Sequence, residues 1–372
     1  MRWHCTPWES RRGRFLAVSE GTETATRGRR IFSGIQPTGS KHLGNYIGAI
    51  RQYVIGQDQL DTAAGEEAIY CIVDLHAITL DYDPAQLRDR VYDTTAILLA
   101  AGLDPERCIL FRQGDVREHT ELCWLLGGVT AWGDLNRMHQ WKTKREMVES
   151  QTGAFVSAGL FNYPILQAAD VLAYRATEVP VGDDQRQHIE LTREVARRFN
   201  ERFGPTLLEP EHKIPEVGAR IMDLQDPTSK MSTTGGGEAG TIYVLDEPDR
   251  IRKKFRSAVT DSGREVRRAG EGESGKEGIE NLIDILCVVR DETPEAIEAE
   301  FDGSGYGDFK AAVGDAVADF LEPVRERYAE LRESPDGLEQ ILAAGAGKAR
   351  GIAAPILSEV REAMGVAEPQ GS

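Results

Sequence analysis

The chain has 372 residues, of which 44 are Lys or Arg and 61 are Asp or Glu, so its formal net charge is −17 at pH 7. With 40% hydrophobic and 28% charged residues, the composition is that of an ordinary soluble globular protein. No apolar run approaches the roughly 18 residues of a membrane span, which excludes an integral membrane protein. The acidity argues against a generally basic nucleic-acid binder, although a local basic patch remains compatible with it.

The first thirty residues differ from the rest, because seven arginines face only three glutamates, a balance of +4. No apolar segment follows them, so they do not form a secretory signal. We interpret 1–30 as a disordered extension ahead of the first domain, with a mitochondrial transit peptide as the alternative. The expected location is accordingly cytoplasmic, or the mitochondrial matrix under the alternative.

The cysteines also favour a reducing compartment. They form an odd, scattered set without a C-x-x-C pair: Cys5, Cys71, Cys108, Cys123 and Cys287. A disulfide framework or a zinc site is therefore not expected, and we predict no metal held by the protein itself.

From residue 31 onward, short apolar runs alternate with helical stretches, which predicts a parallel sheet covered by helices. The predicted strands are 30–35, 68–73, 108–113 and 178–181, and the predicted helices include 45–57, 84–101 and 185–203. In the last helix Asp184 is placed to cap the N-terminus with Gln187 as its capping-box partner, and Gly204-Pro205 ends the helix.

The segment 118–153 has a helical pattern and is predicted to be an insertion between sheet elements. It contains a basic stretch around Trp141, formed by Arg137, Lys142, Lys144 and Arg145. A loop rich in Ser, Thr and Gly follows at 228–240, and then a short predicted strand at 241–245. Beyond it the pattern is helical throughout. We therefore predict an α/β domain over 31–245 and an all-helical domain over 246–372.

The most informative stretch is 31–49, where a strand ends at a Gly/Pro turn and a helix opens near Leu43. Free N–H groups and the positive end of the helix dipole make this a favourable place for phosphate. Gly44 permits close approach of a ligand, and His42 can donate hydrogen bonds to phosphate oxygens. On pattern alone, a purely structural corner between strand and helix remains an alternative.

The same stretch resembles a known family. It reads Gly34-Ile-Gln-Pro-Thr-Gly39 followed by His42-Leu-Gly-Asn45-Tyr, similar to the HIGH signature of class I aminoacyl-tRNA synthetases, specifically the tryptophanyl-tRNA synthetases of bacterial and organellar type. The resemblance continues, in order, through Val73–Thr79, Gly159–Asp170, Val179–Arg193, Val217–Met222, Lys230–Thr234 and Ser257–Ser262. It implies a Rossmann-like, doubly wound parallel sheet and a helical domain that binds the tRNA anticodon.

The resemblance also implies which residues meet ATP. The expected ATP-binding residues are Gln36, Pro37, Thr38, Gly44, Asn45, Gly182, Asp183, Asp184, Ile221, Lys230, Met231, Ser232, Thr233 and Thr234. Those with an expected part in the chemistry are Lys230, Ser232, His42 and Gln36. The pair Asp183-Asp184 alone would also suit a metal, but its position before a helix favours capping and ribose hydrogen bonds.

Asp170 is the central candidate for recognising the amino acid. An indole N–H only donates hydrogen bonds, so a buried carboxylate is a fitting acceptor, and phenylalanine would leave that charge unpaired. The alternative for Asp170 is a helix-capping role. The family implies Tyr163 and Gln185 at the α-ammonium, Gln36 near the α-carboxylate, and Phe32, Gly34 and His76 around the indole. Taken alone, His76 is as consistent with a buried structural histidine.

The sequence departs from the family pattern in two places, the second signature and Gln167. The second signature usually reads K-M-S-K-S, but here it is Lys230-Met-Ser-Thr-Thr234, so one lysine that would reach the pyrophosphate is missing. Lys230 then carries more of the electrostatic work, with help from Lys142 or Lys144. Gln167, where many relatives have methionine, precedes Asp170 by three residues and is expected to enter the same pocket.

The implied reaction is activation of L-tryptophan by ATP, followed by transfer to tRNA(Trp), with Mg²⁺ bound chiefly by the ATP phosphates. For tRNA, residues 249–268 hold eight basic residues against three acids, so either phosphate contacts or a solvated helix face fits them.

The family implies a homodimer, for which the apolar region 84–136 is the candidate contact. The alternatives are a tyrosyl enzyme of the same subclass, a non-catalytic paralogue and another nucleotidyltransferase.

Overall fold

A computed structural model describes residues 28–150, 155–182, 185–213, 221–232, 237–270 and 272–366. Its centre is a five-stranded parallel sheet in the order β3-β2-β1-β4-β5. The strands are β1 Arg30–Ile35, β2 Glu67–Ile72, β3 Ile109–Arg112, β4 Glu178–Pro180 and β5 Glu211–Lys213. This confirms the predicted parallel sheet and its first four strands. The edge strand β5 was not predicted, because its three residues are exposed and polar.

Nine helices of the described residues lie before residue 210. They are α1 Leu43–Asn45, α2 Arg51–Asp58, α3 Asp74–Ala77, α4 Pro84–Ala100, α5 Glu118–Gly127, α6 Trp132–Arg137, α7 His139–Glu149, α8 Ala158–Leu172 and α9 Arg186–Phe203. A π-helical segment, Tyr46–Ile50, joins α1 to α2, and 3₁₀ turns occur at Thr62–Ala64 and Gln113–Asp115. The segment predicted as a helical insertion thus contains α5, α6 and α7.

The remaining described chain is helical. Its helices are α10 Pro248–Arg256, α11 Glu277–Arg290, α12 Pro294–Glu300, α13 Tyr306–Arg332 and α14 Pro335–Met364. Across the described ranges, no helix is both long enough and apolar enough to cross a membrane.

Local signals explain some of the helix ends. Helix α4 begins as expected, because the Asp83 side chain accepts from the backbone N–H of Gln86 at 2.8 Å. In α9, the side chain of Gln187, which was predicted to complete a capping box, accepts from the backbone N–H of His139 at 2.9 Å. Asp184 lies outside the described residues. Gly204 ends the helix with a φ of 102°, as its position predicted.

The predicted strand at 241–245 is also wrong. Tyr243 forms only an isolated antiparallel bridge with His42, supported by backbone hydrogen bonds from Leu43 to Ile242 at 2.8 Å and from Val244 to Lys41 at 2.9 Å. The partner chain turns into helix α1 at this point, so the pairing cannot extend. The consequence is that the first signature is joined through its backbone to the segment that follows the loop of the second signature.

The C-terminal helices pack against the sheet. Helix α14 lies along β3, and at Gly345 a Cβ would overlap the carbonyl oxygen of Leu110. Helix α13 packs on both α4 and α10. Each of the two hydrophobic cores contains residues from both sides of the predicted boundary at 245/246, so the helices after it share their cores with the sheet.

The contact at Gly345 predicts a large loss of stability for Gly345→Ala, since the added methyl group forces α14 away from β3. We expect a loss of about 1–3 kcal/mol in the free energy of unfolding, measured by urea denaturation. Gly347→Ala is the matched control, because no atom lies within 4 Å of its Cβ position. That variant should gain up to about 1 kcal/mol from better helix propensity. Equal effects of the two substitutions would contradict the packing described here.

Candidate active site

The main cavity lies where the strand order reverses, between the carboxyl ends of β1 and β4. This is the usual ligand position in an open α/β sheet. The cavity has a volume of about 500 Å³. It brings together ten of the predicted site residues: Phe32, Gly34, Gln36, Asn45, His76, Tyr163, Gln167, Asp170, Gly182 and Gln185.

Asp170 is the only carboxylate that lines this cavity among the described residues, and it is 2% exposed. Its Oδ2 lies 2.8 Å from His76 Nε2, and its Oδ1 lies 2.6 Å from His119 Nδ1 and 2.7 Å from Gln113 Nε2. Burial opposes ionisation, but the hydrogen bonds from the two histidines outweigh it and hold the pKa of Asp170 below its usual range. The cavity wall therefore presents a stable negative charge.

The neighbours of Asp170 show how the cavity is shaped. His76 directs Nε2 at Asp170 and lies edge-on to the Tyr163 ring, with centroids 6.3 Å apart, so it is both a wall of the cavity and a partner of the carboxylate. The hydroxyl of Tyr163 is 2.9 Å from His188 Nε2, and burial raises the pKa of Tyr163 to about 12. Gln167 lines the same cavity, as its spacing from Asp170 predicted.

Lys144 adds a positive charge to the cavity. Its Nζ lies 4.5 Å from the centroid of the Tyr163 ring, and burial lowers the pKa of the lysine. It forms no ion pair within 4 Å among the described residues. An anionic group bound in the cavity would therefore meet an uncompensated cation.

His42 occupies the N-terminus of α1, where its backbone N–H donates to Asn45 Oδ1 and the backbone N–H of Asn45 donates to His42 Nδ1, both at 3.2 Å. Burial, helped by the charges of Lys230 and Lys41, lowers the pKa of His42 to about 4. The imidazole is therefore neutral at pH 7. Because Nδ1 accepts a hydrogen bond, the ring proton lies on Nε2, which is available as a donor.

The cap formed by His42 gives a structural reason for a glycine at position 44. A Cβ at Gly44 would lie 3.1 Å from the His42 ring and 3.6 Å from Ile221 Cβ. The predicted reason, close approach of a ligand, is thus joined by a structural one: the residue keeps the imidazole in place.

The turn that follows β1 is held by a residue that the sequence did not single out. Lys41 Nζ donates to the carbonyl oxygens of Gln36 at 2.6 Å and Thr38 at 3.3 Å. Lys41 is buried, and this burial lowers its pKa to about 8. Pro37 is buried in the same turn, while Gln36 and Thr38 are exposed.

The second signature lies next to this turn. Lys230 pairs with Met222 in an isolated bridge, and the backbone N–H of Met231 donates to the Ile221 carbonyl at 3.0 Å. Met231 and Ile221 are buried, whereas Lys230 is exposed and its charge reaches His42. The carbonyl of Ser232 accepts from Thr241 Oγ1 at 3.1 Å. Thr233 and Thr234, like Asp183 and Asp184, lie outside the described residues.

The geometry agrees with known proteins. Residues 24–322 match the model of the family described as tRNA synthetases class I (W and Y). The chain belongs to this family.

Its relatives within the family are similar over nearly their whole length. The tryptophan–tRNA ligase of Wolinella succinogenes is 47% identical over 338 residues, covering 91% of this chain and 99% of the relative. That of Mycobacterium leprae is 45% identical, covering 94% and 99% respectively.

Solved structures of tryptophanyl-tRNA synthetases agree as well. The Mycoplasma pneumoniae structure matches at a TM-score of 0.81 and 33% identity, covering 91% of this chain and 98% of that one. A Campylobacter jejuni structure, described as complexed with ADP and tryptophan, matches at 0.75 and 33%, covering 90% and 99%. These matches confirm the predicted synthetase fold.

Most basic residues of the run 249–268 are paired with acids, so the run carries less uncompensated positive charge than its number of basic residues implies. Arg250 pairs with Glu238, Arg252 with Asp315, Arg267 with Glu273 and Arg268 with Asp284, while Lys254 is buried against Asp246. Within the described residues, Lys253, Arg256 and Arg264 have no acidic partner within 4 Å. Sequence counting missed this because these neutralising acids all lie outside the run 249–268.

The charge state of His42 gives a prediction for the synthetase site. In an NMR titration the His42 imidazole should stay neutral from pH 8 down to pH 5, because its pKa lies near 4. Lys230→Met should raise this pKa, but keep it below 6.5, since burial is the larger cause and remains. The resonance is assigned with His42→Gln. A midpoint near 6.5 in the unmodified protein would contradict the buried, capped imidazole.

Proposed function

We propose that this chain is a tryptophan–tRNA ligase, which activates L-tryptophan with ATP to tryptophanyl-adenylate and diphosphate and then transfers tryptophan to tRNA(Trp). The observation that carries the proposal is the buried, ionised Asp170 in the wall of a cavity that Gln36 and Asn45 of the first signature also line. The relatives that share 44–47% identity with it bear the same enzyme name.

For tryptophan, the cavity offers a flat apolar side and one strong acceptor. Phe32 and Gly34 form the floor beside His76, and Asp170 accepts the indole N–H. Tyr163 and Gln185 hold the α-ammonium, with Gln36 near the α-carboxylate. Gln167 is positioned to contact the substrate side chain and so to influence discrimination among indole analogues.

For ATP, the N-terminus of the helix that starts at Leu43 supplies free N–H groups and a positive dipole end. The turn of Gln36, Pro37 and Thr38, with Gly44 and Asn45, lies beside it. Ile221 and Met231, whose side chains are buried, support the adenine site from behind, and Gly182 lines the cavity. By resemblance to the family, Asp183 and Asp184 complete the ribose site, and Thr233 and Thr234 the phosphate loop.

The first step needs no nucleophilic side chain. The tryptophan carboxylate attacks the α-phosphorus, the bond between the α-phosphorus and the bridging oxygen breaks, and pyrophosphate leaves with that electron pair. Lys230, the Nε2–H of His42 and the hydroxyl of Ser232 stabilise the charge that develops on the phosphates. Mg²⁺ enters with ATP, held by its phosphates. The described residues contain no cluster of three His, Cys, Asp or Glu side chains suited to a metal.

For tRNA, four surface cations are the best candidates for phosphate contacts. Lys253, Arg256 and Arg264 lack acidic partners within 4 Å among the described residues, and Lys142 is exposed on α7. They belong to the junction and the insertion, as the sequence had indicated. We place the enzyme in the cytoplasm, consistent with four described cysteines that are all free thiols.

The direct test of function is amino-acid-dependent exchange of pyrophosphate into ATP, followed by charging of tRNA. We expect exchange with tryptophan and at least about a thousandfold less with tyrosine or phenylalanine, since neither presents an indole N–H to Asp170. Exchange with tyrosine alone would favour the tyrosyl branch of the family. Absence of any exchange in folded protein would favour a non-catalytic paralogue.

The altered second signature predicts a strong dependence on Lys230. Lys230→Ala should reduce the rate of pyrophosphate exchange roughly a hundredfold, because it removes a charge-assisted phosphate contact. The second lysine of the family signature, which could compensate, is absent from this chain. Tryptophan affinity, measured by calorimetry, should change little. Lys348→Ala, on the far surface of α14, is the control and should leave both unchanged. Near-normal exchange by Lys230→Ala would show that other groups stabilise the phosphates.

We further propose a homodimer formed through the region 84–136. Most apolar side chains of this region are buried within the chain, but Trp124 is 83% exposed and Trp132 is 67% exposed. Trp132 also contacts Phe161, with ring centroids 6.1 Å apart. Two large exposed indoles on neighbouring helices are typical of a surface that is covered by a partner.

The dimer proposal predicts that Trp124→Asp shifts the protein from dimer to monomer in sedimentation experiments, because a carboxylate would be buried in an apolar contact. Leu208→Asp, at another exposed apolar residue, is the control and should leave the mass unchanged. A monomeric unmodified protein, or a dimer insensitive to Trp124→Asp, would contradict this interface.

A further inference from the structure

The two oxygens of the Asp170 carboxylate differ in how fully they are occupied. A carboxylate oxygen accepts about two hydrogen bonds. Oδ1 already has two donors, His119 Nδ1 at 2.6 Å and Gln113 Nε2 at 2.7 Å. Oδ2 has one, His76 Nε2 at 2.8 Å. When the donors of the described residues are counted, Oδ2 is therefore the Asp170 oxygen that retains a lone pair for a ligand in the cavity.

His119 is oriented by a second contact behind the cavity. Its Nε2 lies 2.7 Å from the hydroxyl of Tyr174, and both residues are completely buried. The described residues offer the Tyr174 hydroxyl no other hydrogen-bond acceptor, so it donates to Nε2. The histidine proton then lies on Nδ1, where it is donated to Asp170. The Tyr174 ring in turn stacks on Phe32, which lines the cavity, with centroids 5.4 Å apart.

Gln113 is oriented in the same way. Its Oε1 accepts from the backbone N–H of Leu75 at 3.1 Å, which leaves Nε2 to donate to Asp170 Oδ1. Leu75 precedes His76 in α3, so one glutamine side chain connects the carboxylate to the helix that supplies its other donor. Neither Gln113 nor His119 lines the cavity.

We propose that His119 and Gln113 are positioning residues for substrate recognition. They hold Oδ1 in the wall, and thereby turn Oδ2 toward a substrate that carries an aromatic N–H donor. This assignment rests on the proposed function, in which the indole of tryptophan occupies the cavity. In this assignment, Oδ1 of Asp170 anchors the carboxylate and Oδ2 recognises the substrate. Discrimination between tryptophan and analogues without the ring N–H then depends on two residues that do not touch the substrate.

The test compares tryptophan with its isostere β-(benzothiophen-3-yl)alanine, in which sulfur replaces the ring N–H. The ratio of kcat/KM for the two substrates in pyrophosphate exchange measures recognition of the N–H alone. We expect the unmodified enzyme to prefer tryptophan strongly. Gln113→Met and His119→Leu should each reduce this ratio by roughly tenfold or more, since each removes a donor to a charged group. His119→Asn keeps a donor near the position of Nδ1 and should retain more of the ratio than His119→Leu.

A purely structural role predicts a different result. Loss of a buried hydrogen bond would lower the stability, or the rates for both substrates together, and would leave their ratio unchanged. Gln57→Met is the matched control, because Gln57 is also a buried glutamine with hydrogen bonds through both side-chain atoms, to Gly102 and Asp104, but lies outside the cavity. It should not change the ratio.

The outcomes separate this inference from the proposed function. An inactive but folded unmodified enzyme would contradict the proposed function. An active enzyme that does not distinguish the two substrates would overturn recognition through Oδ2 while leaving the function intact. An active, discriminating enzyme whose ratio survives both Gln113→Met and His119→Leu would overturn the positioning role.

Discussion

A single buried negative charge ties together the part of the fold that lines the cavity between β1 and β4. A buried carboxylate is costly unless several donors compensate it. The donors to Asp170 come from three separate segments: His76 from α3, Gln113 from the 3₁₀ turn after β3, and His119 from α5. Because all three must reach one side chain of α8, the ends of β2 and β3 and the start of the insertion are fixed relative to one another. The shape of the cavity follows from that requirement.

The proposed ATP side is organised by the backbone. The chain at 41–43 pairs with 242–244, the backbone N–H of Leu224 donates to the Gly240 carbonyl at 2.9 Å, and Met231 pairs with Ile221, so backbone hydrogen bonds connect the two signature segments through the chain between them. Asn281 of α11 fixes this connection, because its side chain accepts from the N–H of Met222 at 2.9 Å and donates to the Met222 carbonyl at 3.1 Å. The helices after residue 246 thus contribute directly to the geometry of the proposed phosphate region.

The sequence predicts those features whose cause is local. The bounds of β1 follow from its apolar run and the Gly/Pro turn after it, and the residues of the cavity follow from motifs that stand at strand and helix ends. Features that depend on distant contacts were not predictable. A buried Asp170 requires donors, but nothing near His119 or Gln113 in the sequence marks them as those donors. Likewise Lys41 acquires its role only because the turn of Gln36 and Thr38 folds back over it.

The distribution of charge shows the same dependence on tertiary structure. Counting residues gives a net charge of −17 for the chain and a basic run at 249–268. In the structure, however, most cations of that run form ion pairs with acids that lie outside it.

By contrast, Lys41, Lys144 and Lys230 have no acidic partner within 4 Å among the described residues, despite the excess of acid over the whole chain. Burial of the first two lowers their pKa values, which means that the protein holds these charges at a cost. An anionic ligand in this region would offset that cost. In the proposed function, these uncompensated cations supply the electrostatic attraction for the triphosphate.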